Sequence, residues 1–251
     1  HTIASELLVS FEPVSLSGMD GVKLMDRIDT KFVLSFNKLE SVLQSLRDYY
    51  NVLTINERKV FSYRTDYFDT SNMDMFHDHH NGKLNRFKSR QREYVESCLC
   101  FLEVKFKSNK GRVVKDRIER TGKDQKAFTG FISRHTPYDP KDLKLKLINK
   151  FNRFTLVDKN MRERVTIDFN LSYTDNNHDL SLDGLVIVEV KQDKSDKQSP
   201  VFNVLNSLSI RPVPFSKYCL GISLLNHQSK FNNFKETILM INKISHVELS
   251  A

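Results

Sequence analysis

Ionisable and apolar side chains alternate along at least six stretches of this chain. The densest is Asn85–Tyr94, where Arg86, Lys88, Arg90 and Arg92 fall at every second position. In a β-strand that spacing points all four to one face. Arg27–Ser35 sets Arg27, Asp29, Lys31 and Val33 against Ile28, Thr30, Phe32 and Leu34. Cys98–Lys107 sets Glu103, Lys105 and Lys107 against Leu102, Val104 and Phe106, and Arg112–Thr121 puts Lys115, Arg117 and Glu119 on one face. Arg162–Tyr173 opposes Arg162, Arg164, Thr166 and Asp168 to Val165, Ile167 and Phe169. Leu185–Asp193 places Ile187, Glu189, Lys191 and Asp193 against Val186, Val188 and Val190. Val60–Thr70 is β-branched and aromatic and reads as a further strand.

Helical spacing marks other segments. Leu39, Val42, Leu43, Leu46 and Tyr50 predict a helix over Asn37–Tyr50. Asp69-Thr70-Ser71 offers capping groups for a short helix through Met75–His79. A helical turn is expected near Val22–Met25, a helical section over residues 123–151 with Phe128, Phe131 and Ile132 as its stripe, and a helix over Pro200–Leu208. Leu143, Leu145, Leu147 and Ile148 fit alternation and a helix equally, and Arg153 stands where a strand could start. Phe215–Tyr218 reads as a short edge or a strand end. From Leu220 onward the chain looks helical, with Phe231, Phe234, Ile238 and Ile241 as a stripe. Asn81-Gly82, Ser108–Gly111 and Asp183-Gly184 are turns. With no repeat or linker, the expectation is one domain over residues 1–251, its core about 27–220 and a helical extension at 221–251.

Composition adds sign to this pattern. Lys and Arg number 39 against 31 Asp and Glu, a net charge of +8 that suits an anionic partner. Cys98, Cys100 and Cys219 are an odd set without CxxC spacing, which fits a reducing cytoplasm better than a disulfide framework or a zinc site. No window approaches the 18 apolar residues of a membrane span, and no signal peptide is visible. The histidines of the turn, His77, His79 and His80, read as a surface feature rather than metal ligands. Basic residues alternate with aliphatic ones, and no aromatic platform for stacking bases is evident, so nucleic acid is not expected.

On pattern alone two architectures stand level. In a sandwich the apolar faces meet and the charged faces see water. In a closed or nearly closed barrel of about eight strands, amphipathic helices cover the outside and the charged faces line the inside. A wet cationic interior is costly without an anion in it, and phosphate suits Arg and Lys. The minority carboxylates Asp29, Glu103, Glu119, Asp168 and Glu189 could hold a hard divalent cation shared with phosphate oxygens.

The segments RIDTKFVLS, YRTDYFDT, NGKLNRFKSRQREY, FLEVKFK, RVTID, VIVEVKQD and PFSKY, in this order, resemble the VTC domain. That is the polyphosphate polymerase domain, also found as free-standing bacterial proteins, of the triphosphate tunnel metalloenzyme (CYTH-like) superfamily. The resemblance spans roughly Arg27 to Leu220. RIDTK stands where many superfamily members carry ExExK, which favours the VTC branch. The resemblance implies an α+β fold: an antiparallel barrel tunnel with a charged interior and helices outside. It implies that Lys31, Arg90, Arg92, Lys105, Lys115, Arg153, Arg164 and Lys217 act on the triphosphate, and that Glu189 ligates Mn²⁺ or Mg²⁺. Arg86, Lys88, Lys107, Arg117 and Lys191 extend the substrate-binding rows. The implied partners are ATP or another nucleoside triphosphate and inorganic polyphosphate or pyrophosphate. The implied reaction is transfer of the γ-phosphoryl to a growing chain. A hydrolase of tripolyphosphate or nucleoside triphosphate in the same tunnel, or a polyphosphate-binding module without activity, are the alternatives.

Overall fold

Alternation dictates the architecture, and the strands it predicts form one sheet. The computed structural model describes residues 2–21, 28–110, 112–120, 122, 124–225 and 232–245. The elements in chain order are α1 (Thr2–Leu7), β1 (Pro13–Val14), β2 (Ile28–Ser35), α2 (Leu39–Leu46), β3 (Tyr50–Leu53), β4 (Phe61–Asp69), α3 (Asp74–His80), β5 (Arg86–Tyr94) and β6 (Leu99–Lys107). They continue with β7 (Val113–Glu119), α4 (Gln125–His135), β8 (Lys144–Asp158), β9 (Glu163–Thr174), β10 (Asp179–Leu182), β11 (Leu185–Gln192), α5 (Pro200–Ser207), α6 (Lys217–Leu225) and α7 (Lys235–Ser245). The main path runs β2-β11-β9-β8-β4-β5-β6-β7, antiparallel at every step. β10 extends β9, and β3 pairs with β8 and, in parallel, with β1.

The convex face is apolar and covered. Phe32 and Leu34 of β2, Val186, Val188 and Val190 of β11, and Val165 and Ile167 of β9 pack against Leu39, Val42, Leu43 and Leu46 of α2 and Val201, Phe202 and Leu205 of α5. Farther along, Leu102 and Val104 of β6 pack against Phe128, Phe131 and Ile132 of α4. The concave face carries the ionisable rows. Lys105 on β6 lies close enough to Glu189 on β11 and Lys31 on β2 to feel their charges, so the sheet curls until its two wings face each other.

The ends of the sheet do not meet. Among the described residues, β2 and β7 share no ladder, so of the closed or nearly closed barrel expected it is the open form that is found. The outer edge of β2 is taken by the segment before α6: Pro212 bridges Phe32, and the Val213 amide donates to the Lys31 carbonyl at 2.8 Å. A proline on that edge offers no amide to continue a ladder.

Three other expectations change. Residues 144–151 belong to the 15-residue strand β8, and Arg153 lies in its middle rather than at its start. Tyr50 opens β3 instead of closing α2. Phe215–Tyr218 is no strand, because Lys217 begins α6. Nor do all helices lie outside. α6 and α7 pack on the concave face at one end, against Val33, Leu185, Ile187, Leu147, Leu171 and Tyr173. Gly221 permits this approach, since a Cβ there would meet Leu147 Cδ2 and a Tyr173 ring carbon at 2.6 Å each. The turn expected near Val22–Met25, and Arg27, Gly111, Thr121 and Phe231, lie outside the described residues.

Candidate functional site

Register decides how the charges meet. On the wing of β2, β11, β9 and β8, opposite charges face each other across the ladders. Lys31 stands opposite Glu189, Asp29 opposite Lys191, and Arg153 opposite Asp168. Lys191 Nζ lies 2.5 Å from Glu189 Oε2 and donates to Thr166 Oγ1 at 2.9 Å, while Lys31 Nζ is 3.8 Å from Glu189 Oε1. Asp168 is buried between two cations: Arg153 grips it with Nε and Nη2 at 2.5 and 2.8 Å, and Lys217 Nζ reaches it at 2.5 Å. Burial alone would raise the Asp168 and Glu189 pKa values. Arg153 and Lys217 outweigh it for Asp168, Lys191 and Lys31 outweigh it for Glu189, and both carboxylates are held well below their usual range.

On the wing of β5, β6 and β7 the pattern inverts. Lys88, Lys105 and Lys115 stand directly opposite one another across three adjacent strands. Like charges so placed repel. The next inward layer holds Arg90, Glu103 and Arg117. The buried Glu103 binds Arg90 at 2.6 Å and also pairs with Lys115. Arg90, Arg92 and Lys115 outweigh burial and hold Glu103 at about 2. Lys105 has no carboxylate within ion-pair distance among the described residues. Burial, with Arg90 and Lys31 nearby, pushes it down to about 7. Burial likewise pushes Lys88, Lys115, Lys191 and Lys217 down to about 8.

The two wings enclose a cavity of about 620 Å³. Among the described residues eleven Lys and Arg side chains line it, against the carboxylates of Glu103 and Glu189. Twelve of the fourteen residues singled out from the sequence are there: Lys31, Lys88, Arg90, Arg92, Lys105, Lys115, Arg117, Arg153, Arg164, Glu189, Lys191 and Lys217. Arg86 and Lys107, the last pair on β5 and β6, lie beyond the lining, and Arg86 turns to the Lys83 carbonyl at 2.8 Å. The sequence reading missed the aromatic lining and the contribution of α3. Tyr63 stacks on Phe151 with ring centroids 5.1 Å apart, and Arg92 and Arg153 lie over both rings. Their signal was the inward parity of Tyr63 and Tyr67 on β4, hidden because the alternate residues of that strand are also polar.

Comparison with known proteins follows this geometry. The sequence profile of the VTC domain matches residues 26–226. The chain belongs to the VTC domain family. No curated protein matches its sequence. Among solved structures, a putative adenylyl cyclase from Hippeastrum, described as having a dominant triphosphatase activity, superposes with a TM-score of 0.52 at 13% identity, over 78% of this chain and 94% of that one. A putative adenylate cyclase from Vibrio parahaemolyticus gives 0.47 at 11% identity, over 78% and 97%. The PH1819 protein of Pyrococcus horikoshii gives 0.47 at 10% identity, over 80% and 99%. The Hippeastrum likeness shows the fold, a large antiparallel sheet curled around a cavity.

This VTC domain brings together no three metal-ligating groups among its described residues. Glu103 and Asp168 are buried and saturated by cations. Glu189 keeps 17% of its side chain exposed, in the cavity. Hard divalent ions of the Mg²⁺ type are held by one or two carboxylates together with substrate phosphates. A single available carboxylate therefore fits an ion that arrives with phosphates, and does not fit a cage built by protein alone. No helix among the described residues is long and apolar enough to cross a membrane.

Proposed function

We propose that this VTC domain is a polyphosphate polymerase that transfers the γ-phosphoryl of ATP to a phosphate or polyphosphate chain held in the cavity, with Mn²⁺ or Mg²⁺. The observation that carries the reading is the row Lys88–Lys105–Lys115, three ammonium groups facing each other across neighbouring strands, with no carboxylate at Lys105. Such a row is stable when a chain of anions lies along it. Arg90 and Arg92 continue the row along β5, and Arg153, Arg164 and Lys217 face it from the other wing.

The donor nucleotide would lay its phosphates on this wall, with its nucleoside against the aromatic lining of Tyr63 and Tyr94. Glu189 would hold the divalent ion, whose chemistry when bound is to neutralise charge developing on the phosphate oxygens. Arg90, Arg92 and Arg153 are fixed by Glu103, by the Thr65 hydroxyl and by Asp168, so they meet the transferring group without reorganising. Little covalent work falls to the protein in such a transfer. A phosphate acceptor is already an anionic nucleophile and needs no base. Water would need one, and Glu103 and Asp168 are each taken by two cations while Glu189 is left to the ion. This favours transfer over hydrolysis.

The test is incubation with γ-labelled ATP and Mn²⁺, with and without a short polyphosphate primer, resolved on a gel. A ladder of labelled polymer that is lost in Glu189→Ala supports the polymerase. Labelled phosphate without a ladder makes the protein a tunnel hydrolase. Neither product, with tight polyphosphate binding, leaves a binding module and removes the catalytic reading.

A further inference from the structure

The cavity has an end. On β2, β11 and β9 the inward residues one layer beyond it, Val33, Leu185 and Leu171, are buried against α6 and α7. Arg86 and Lys107, the corresponding residues of β5 and β6, do not line it. At this end the lining changes character, because His79 of α3 and Ser216 join Lys88.

His79 is half-buried, its ring stacked on Phe234 with centroids 6.3 Å apart and planes 18° apart. Its Nδ1 is buried, and neither ring nitrogen has a hydrogen-bond partner among the described residues. The charges facing it are Lys88 and Arg86 from β5, Lys31 from β2 and Lys107 from β6. On its own helix, Asp78 is taken by Lys83 at 3.0 Å, and His80 adjoins it. Burial and these cations push His79 down to about 2, so the ring is neutral. Ser216 Oγ accepts from Lys88 Nζ at 3.0 Å and from the Cys219 amide at 3.3 Å, and its hydroxyl hydrogen can turn from the neighbouring Cys219 thiol to a ligand oxygen.

Elsewhere Lys and Arg predominate in the wall, and they only donate. That matches the mid-chain units of a phosphate polymer, whose oxygens only accept. A terminal phosphate differs: its second ionisation lies near pH 6, so close to neutrality it carries a P–OH part of the time. It needs an acceptor as well as donors, and a neutral imidazole supplies one.

We propose that His79, Lys88 and Ser216 form a pocket that reads the terminal phosphate of a bound phosphate chain. This rests on the phosphate-chain reading of the cavity and adds which part of the chain is recognised. Lys88 and the Ser216 hydroxyl donate to two terminal oxygens, and the terminal P–OH donates to an imidazole nitrogen. If the proton crosses, an imidazolium faces a dianionic phosphate, and no proton is gained or lost overall.

Linear tripolyphosphate and cyclic trimetaphosphate separate the two ideas, because both hold three phosphorus atoms and the ring has no terminus. Binding of each is measured by titration calorimetry without metal, for the wild type, His79→Leu and Ser216→Ala, with melting curves for all three. His79→Leu, which removes the acceptor, should weaken the linear anion about tenfold, the scale of one lost hydrogen bond, and leave the cyclic anion unchanged. Ser216→Ala should show the same selectivity, which keeps the test open if His79→Leu folds poorly. Equal losses for both anions, or no loss for either, would overturn the pocket while the cavity still binds phosphate. A wild type that binds neither anion would overturn the phosphate-chain reading and this inference with it.

Discussion

Lys105 and Asp168 face the same cavity and make opposite demands on the fold. Lys105 sits between Lys88 and Lys115 without a counter-ion, so its charge serves binding at the expense of stability. Lys105→Met should raise the stability of the ligand-free protein by about 1 kcal/mol and lower tripolyphosphate affinity at least tenfold; melting curves and calorimetry on one variant check both. Asp168→Asn strips Arg153 and Lys217 of their shared partner deep in the wall and should cost about 3 kcal/mol. A melting temperature unchanged in Asp168→Asn would remove that carboxylate from the scaffold. Arg90 resembles Asp168 more than Lys105, because its loss leaves the buried Glu103 with Lys115 as its remaining ion-pair partner. At this scale the sequence was informative where parity alone sets direction, as for Lys31, Arg92 and Glu189. It was wrong on His79 and His80, read as surface residues although one lines the cavity and the other is buried, since the run from His77 to His80 looks the same whether a helix turns a ring to water or inward.

At the scale of elements, strands with one wet face declare themselves, and elements buried all round do not. β5, β6, β9 and β11 alternate cleanly and were legible within a residue or two. β8 begins with Lys144, Leu145, Lys146 and Leu147 beside Ile148, a run short enough to satisfy two periods at once. From Tyr218 to Leu225 every residue of α6 is buried, so it has no polar stripe to reveal its turn. The seating of α6 on β8 and β9 depends on Gly221 having no side chain. Gly221→Ala should cost about 1–3 kcal/mol through overpacking, although alanine is the better helix former. A thermal melt decides the sign: a rise would mean that the helix shifts freely, and that the end of the cavity is less firmly built than its packing implies.

For the whole molecule, the depressed lysines set a pH dependence. Between about pH 7 and the ordinary lysine value of 10.5 the unfolded chain binds more protons than the folded one, so ligand-free stability should rise as pH increases through 7 and 8. The gain should persist to about pH 10, where the lysines of the unfolded chain begin to lose their own protons; Cys219, raised by burial, subtracts a single group against several lysines. Melting temperatures from pH 6 to 9.5 test this, and saturating tripolyphosphate should flatten the slope by holding the lysines protonated. At a hundredfold excess over Kd such a ligand adds about 2.7 kcal/mol, or roughly 5–10 °C, and the shift should shrink as salt rises. An undiminished shift in high salt would tell against the charge row as the binding surface. The open flank between β2 and β7 bears on the same balance. A closed ring of strands resists widening, because some ladder must stretch for the circumference to grow. Here, among the described residues, no ladder spans that flank, so the wings can hinge apart or together without giving up a backbone hydrogen bond. Repulsion among the facing lysines would then prop the wings apart, and an anion laid along the row would draw them together, as a clasp rather than as a pipe.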